Sequence, residues 1–164
     1  MSNRIYLKKF IPENDFSYYN MLCKNEKVMN MNFGRIFTDE EIEITFKQLS
    51  NNHTTSEDFG SFTVFEISSN KFMGLGTIYI RDDSAEAEVE YMLLPEYWGQ
   101  GFGTELLSLL LAKITSNNKI KKVIAYIDPN NIASRRLLIN QGFVSEKVFK
   151  TTDNSDAELL YKTI

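Results

Sequence analysis

From residue 61 to residue 94 the apolar positions fall into short β-branched and aromatic runs, whereas from 104 to 116 they recur every third or fourth residue. That change of period marks a switch from strands to a helix. Residues 4–10 alternate as a strand. Pro12 then opens a helix running to about Asn25, with Phe16, Tyr19 and Leu22 on its apolar side. Thr38 and Glu41 have the spacing of a capping box, and the helix they start carries Ile42, Phe46 and Leu49 on one side to about residue 50. Residues 26–37, between these helices, are expected to form an irregular loop.

Residues 61–68 and 72–80, joined by Ser68-Ser69-Asn70-Lys71, predict an antiparallel hairpin. A strand over 86–94 sends Ala87, Val89, Tyr91 and Leu93 to one face and Glu86, Glu88, Glu90 and Met92 to the other. A helix from Thr104 to Ser116 turns Leu107, Leu110, Leu111 and Ile114 inward. A strand at 121–128, a helix at 131–141 ended by Gly142, and strands at 143–149 and 157–163 complete the chain. The predicted order is β-α-α-β-β-β-α-β-α-β-β, an α/β (α+β) layered domain with a mixed sheet. No repeat or linker interrupts it, so residues 1–164 read as a single domain.

Composition narrows the function without naming it. With 164 residues, 43% of them hydrophobic, the chain can build one core but not two ordinary ones. A net charge of -4 argues against nonspecific binding of nucleic acid or of an anionic membrane, either of which needs a basic surface. No stretch has the length of a membrane span, and the N-terminus lacks the apolar segment of a signal peptide. Cys23 is the only cysteine and His53 the only histidine, which removes an internal disulfide and a metal-ligand cluster from the expectations. His53 lies in a polar loop and reads as solvated, and Phe62, Phe65 and Phe72 read as core. A cytoplasmic protein, monomeric or homodimeric, without metal, nucleic-acid or membrane partners, is expected.

The chemistry concentrates in Trp98-Gly99-Gln100-Gly101-Phe102-Gly103, a strand-to-helix turn. Glycines there permit positive φ and close backbone approach, and the exposed N–H groups with the helix dipole make a phosphate site. A simple chain reversal accounts for the glycines equally well. The dinucleotide pattern Gly-x-Gly-x-x-Gly fails because Thr104 stands where its third glycine belongs, and no Gly-Lys-Ser/Thr P-loop is present.

Residues Tyr97 to Glu105 resemble the coenzyme A pyrophosphate loop of the GNAT acetyltransferase superfamily, with Gly101 and Gly103 in its glycine positions. Trp98 replaces the commoner Gln or Arg, which resembles the branch containing ribosomal-protein N-terminal acetyltransferases. Asn131-Ile132-Ala133-Ser134, followed by Leu137, Leu138 and Gly142-Phe143, is similar to the last helix of the same family. Taken alone, Asn131 and Gly142 would serve as helix caps. The resemblance implies a GNAT fold, a twisted, mostly antiparallel sheet of about seven strands with helices on both faces, splayed at the cofactor site. It also implies acetyl-CoA as cosubstrate and direct transfer to a primary amine in a ternary complex. Cofactor contacts are expected from Trp98, Gly99, Gln100, Gly101, Phe102, Gly103, Thr104, Asn131 and Ser134, and from the backbone N–H groups of Met92, Leu93 and Leu94.

Transfer needs a neutral amine. At pH 7 a lysine-type amine costs about 4–5 kcal/mol to neutralise and an α-amine about 1, so a base matters more for the first. By the resemblance Glu88 is the leading base, and Glu90 is a second candidate or a binder of the incoming cation; as a sequence pattern alone, both belong equally to a solvated strand face. The family's usual acid, a tyrosine seven residues after the helix Asn, is here Leu138, which leaves Ser134 as candidate acid or as a small residue that lets the cofactor pack close. An acceptor site is expected from residues 26–37, strand 72–81 and the last hairpin, with Arg35, Tyr79, Arg81 and Tyr161 nearby. Two other classes stay open: a noncatalytic acyl-CoA-binding or sensory module, and a nucleotide-binding α/β protein stabilised by ATP or NAD but not by coenzyme A.

Overall fold

A computed structural model describes residues 2–51, 56–80 and 85–164. His53 and Arg81 lie outside the described residues. The elements are β1 (Ile5–Lys9), α1 (Pro12–Cys23), α2 (Glu26–Phe33), α3 (Asp39–Asn51), β2 (Gly60–Glu66), β3 (Phe72–Ile80), β4 (Glu86–Leu93), α4 (Phe102–Thr115), β5 (Lys122–Ile127), α5 (Ile132–Asn140), β6 (Val144–Lys150) and β7 (Asp156–Thr163). A 3-10 turn at Pro95–Tyr97 links β4 to the glycine segment.

The strands form one seven-stranded sheet in the order β1-β2-β3-β4-β5-β7-β6, antiparallel throughout except for the β4–β5 pair. Both faces are covered. Leu106, Leu107, Leu110 and Ile114 of α4 pack with Ile5, Phe62, Val64, Met73, Val89 and Val123 on one side. Tyr19 and Leu22 of α1, Val28 and Met29 of α2, and Ile42 and Leu49 of α3 pack with Phe65, Phe72 and Leu75 on the other. Central β3 is therefore buried along nearly its whole length, which is why its sequence runs apolar instead of alternating.

The capping box forms as read: the Glu41 N–H donates to Thr38 Oγ1 at 3.2 Å and the Thr38 N–H to Glu41 Oε2 at 2.8 Å. Arg35 is bidentate to the same Glu41 carboxylate, which holds it down to about 2, with the Arg35 hydrogen bonds the largest cause. The expected loop at 26–37 is instead mostly helix. Asn25 caps α2 through the Val28 N–H at 3.1 Å, and Gly34 closes it with φ of 70°. Its apolar stripe is interrupted by Asn32, and that interruption faces the cavity described next.

Candidate active site

β4 and β5 pair only over Glu86–Glu88 against Lys122–Ile124 and then part, β4 continuing beside β3 and β5 beside β7. The resulting gap opens on one edge of β4. The Leu94 N–H donates to Met73 O at 2.8 Å, in continuous register with the β3–β4 ladder. Alternation along an antiparallel ladder then turns Met92 toward β3 as well, and aims the N–H groups of Tyr91 and Leu93 into the gap. Of the three backbone N–H groups named from the sequence, that of Leu94 bonds to Met73 and that of Met92 points to β3, while that of Leu93, like that of Tyr91, faces the gap.

Trp98 holds the end of this strand, its indole N–H donating to Leu93 O at 2.8 Å. Replacing it with Phe removes the donor and leaves a half-buried carbonyl unsatisfied. A loss of about 1–3 kcal/mol in urea denaturation is expected, together with weaker coenzyme A binding as the β4 edge loosens.

After Trp98 the chain turns through Gly99 (φ 71°) and Gly101 (φ 84°), the latter capping α4 without any side-chain hydrogen bond. The opening N–H groups of α4 are left to face outward, at the positive end of a 14-residue helix. A cavity of about 320 Å³ sits there, walled by Gly99, Gly101, Gly103, Thr104, Trp98 and Arg136. Gly103 has another reason to be glycine. A Cβ at that position would stand 2.7 Å from Leu137 Cδ1, so it sets how closely α4 and α5 approach. The side chains of Gln100 and Phe102 turn elsewhere: Gln100 donates to Glu96 O at 2.7 Å, and Phe102 is buried beneath the Arg4 guanidinium, 4.0 Å from the ring centroid. Arg4 also pairs with Glu105 at 3.1 Å, which neutralises a carboxylate that would otherwise repel an anion at this helix end.

Across β4 lies a second cavity, of about 440 Å³. Glu90 is in its wall and Glu88 is not. The Tyr79 hydroxyl donates to Glu90 Oε2 at 3.2 Å. Although Glu90 keeps accessible area, that area opens into the concave cavity, and burial raises its carboxyl to about 7, with Glu88 adding to the rise and the Tyr79 hydrogen bond opposing it. A carboxyl near 7 accepts a proton at neutral pH far better than an ordinary one. Of the two glutamates, Glu90 is thus the one whose surroundings suit a general base. Tyr79 enters the site through Glu90; Arg35 is committed to Glu41, and Tyr161 lies outside both cavity walls.

Asn32, Tyr91, Met92, Asn131 and Ser134 belong to both walls, so the cavities meet on them. Asn131 caps α5, its Oδ1 accepting the Ser134 N–H at 3.1 Å. Ser134 Oγ lies 2.9 Å from the Tyr91 hydroxyl. Leu138 is fully buried in the core and offers no polar atom to the gap. An uncapped helix N-terminus at Gly99–Thr104, an open strand edge carrying the N–H groups of Tyr91 and Leu93, and a carboxylate across the gap are groups that could hold and serve an acyl-CoA.

Residues 4–144 match the family model described as the acetyltransferase (GNAT) domain. The chain belongs to the GNAT acetyltransferase family. It is 34% identical over 64 residues to the uncharacterized N-acetyltransferase YoaA of Bacillus subtilis, a match spanning 39% of this chain and 36% of that one. It is 22% identical over 125 residues to the uncharacterized N-acetyltransferase p20 of Bacillus licheniformis, covering 76% of this chain and 70% of p20. Similar solved folds include a Vibrio cholerae spermidine N-acetyltransferase in complex with CoA and spermine (TM-score 0.77, 19% identity, 99% of this chain and 96% of that one). Another is RimL, a ribosomal L7/L12 α-N-protein acetyltransferase in complex with CoA (TM-score 0.79, 17% identity, 99% and 96%). The mixed seven-stranded sheet, splayed between β4 and β5, is the GNAT fold the sequence led us to expect.

Tyr91, Tyr126 and Asp128, all in the larger cavity, were not among the expected site residues, whereas Asn32 lies in the segment 26–37 expected to border the acceptor. Asn32 alone carried a signal, as a polar residue interrupting an apolar helical stripe. Alternation puts Tyr91 on one face of β4 with Ala87, Val89 and Leu93 and gives it no role.

Proposed function

We propose that this protein transfers the acetyl group of acetyl-CoA directly to a primary amine in a ternary complex. One observation carries the reading: a cavity headed by an uncapped helix N-terminus and a cavity holding a carboxylate base meet on the shared wall of Tyr91, Met92, Asn131 and Ser134. Gly99, Gly101, Gly103 and Thr104 hold the pyrophosphate, Trp98 supports the strand end, and the Tyr91–Leu93 edge holds the arm. Glu90 receives the amine proton, Glu88 raises the basicity of Glu90 through repulsion, and Ser134 faces the departing sulfur.

The acceptor of this reading is a small cationic amine. Glu90 and Asp128 are the charged groups of the larger cavity's wall, and among its described residues there is no lysine or arginine. Phe33, Phe37, Tyr79 and Tyr126 add ring faces that suit an ammonium or an aromatic amine. About 440 Å³ accommodates a small ligand. The similar proteins named for spermidine and for a protein α-amine bracket the choices. The test is thiol release from acetyl-CoA with a polyamine, an aromatic monoamine and a peptide with a free N-terminus. Turnover with kcat/KM highest for a small cationic amine is expected. Preference for the peptide would overturn the acceptor class, and coenzyme A binding without turnover on any amine would leave a noncatalytic module.

A further inference from the structure

We propose that Tyr91 is a positioning residue that aims the Ser134 hydroxyl at the sulfur of the acetyl donor; this rests on the transferase reading above. The two oxygens are 2.9 Å apart, and both residues line both cavities. Their bond therefore stands where the acyl donor and the amine must meet. Two contacts fix the serine side of it. Asn131 locks the first turn of α5 by accepting the Ser134 N–H. The buried Glu158 pairs with Arg135 at 3.1 Å and ties the same turn to β7.

The direction of the hydrogen bond follows from acidity. A phenol is a better donor than an aliphatic hydroxyl, so Tyr91 donates and Ser134 Oγ accepts. The serine proton is then left to point away from Tyr91, toward the junction. Burial pushes the Tyr91 phenol up to about 12, so it stays a donor at any working pH. A phenol held that high is a poor proton source for a thiolate, whose thiol near 8.5 is the stronger acid. Tyr91 thus orients the serine and is not consumed. In the transfer, the amine nitrogen forms the C–N bond, the C–S bond breaks with its electron pair on sulfur, and the amine proton goes to Glu90. The charge on sulfur is met by the Ser134 O–H, and the thiolate takes its proton from water while Glu90 returns one to solvent. This arrangement supplies from β4 the orientation that Leu138, buried in the core, does not give from α5.

The experiment compares wild type, Tyr91→Phe, Ser134→Ala and the double variant for turnover of acetyl-CoA with the best amine, and for coenzyme A affinity by calorimetry. Each single variant is expected to lose about tenfold in kcat with coenzyme A affinity within about twofold, and the double variant is expected to lose no more than the worse single one, since the two hydroxyls act as a unit. An unchanged kcat for Tyr91→Phe, losses that multiply in the double variant, or a parallel loss of coenzyme A affinity each overturns the assignment while leaving the transferase reading intact. Absence of turnover by wild type on every amine overturns the transferase reading itself, and this inference with it.

Discussion

Glu90→Gln is expected to lower kcat by about 10²- to 10³-fold at pH 8 while leaving coenzyme A affinity within about twofold, the range a positioned general base contributes. Glu90 lines the larger cavity and not the one at the α4 N-terminus, so its removal is expected to touch proton transfer and not cofactor binding. In the wild type, kcat should fall tenfold per pH unit below about 7, because the carboxyl then carries a proton and cannot take the one leaving the amine. That acid limb should be absent in the variant. Glu88→Gln separates the two acids. Repulsion from Glu88 helps raise Glu90, so without it the limb should move to lower pH, with the plateau rate largely kept. A Glu88→Gln loss as deep as that of Glu90→Gln would return Glu88 to the role of base.

Stability gives the same assignment a second reading with the opposite sign. The folded-state carboxyl of Glu90 lies above the ordinary value of 4.5, so the stability it contributes is present below that value and is lost as pH rises through about 7. Glu90→Gln does not undergo this loss. In urea denaturation the variant should therefore be more stable than wild type at pH 8, and the difference should close toward pH 4.5. A less active and more stable variant is what a desolvated functional charge predicts.

The sequence reached the frame because the frame depends on local rules. The period change at residue 104, the capping box at Thr38 and Glu41, and the hairpin residues around Asn70 each specify an element through its own neighbours, and each forms. The site depends on where two strands part. The divergence of β4 from β5 beyond Glu88 and Ile124 is a tertiary event with no local signature, and it determines which glutamate faces a cavity. Period-2 alternation puts Glu88 and Glu90 on one face and cannot rank them. Two residues along the strand change a carboxyl still flanked by paired strands into one that faces the gap. The same event brings Tyr91, which alternation only places on one face of β4, to the junction, and a single hydrogen bond to Met73 engages the Leu94 N–H while that of Leu93 faces the gap.

Gly101→Val is expected to weaken coenzyme A binding by about 100-fold or more in a protein that still folds, measured by calorimetry alongside thermal denaturation. Gly101 combines φ of 84° with the N-cap of α4, so a β-branched residue there either strains the backbone, by about 1–2 kcal/mol, or rotates the first N–H groups away from the phosphate. Losing two hydrogen bonds to a charged group, at about 1.5–3 kcal/mol each, corresponds to at least 100-fold. The other glycines test whether the turn is a cradle or only a bend. A Cβ at Gly99 meets nothing within 4 Å, so Gly99→Ala carries conformational cost alone and should affect stability more than affinity. A Cβ at Gly103 stands 2.7 Å from Leu137 Cδ1, so Gly103→Ala should act by shifting α5 and, with it, Asn131 and Ser134. Affinity falling most at Gly101 is the signature of backbone amides that meet a phosphate. A folded Gly101→Val variant that keeps wild-type coenzyme A affinity would mean that the glycines serve only to reverse the chain.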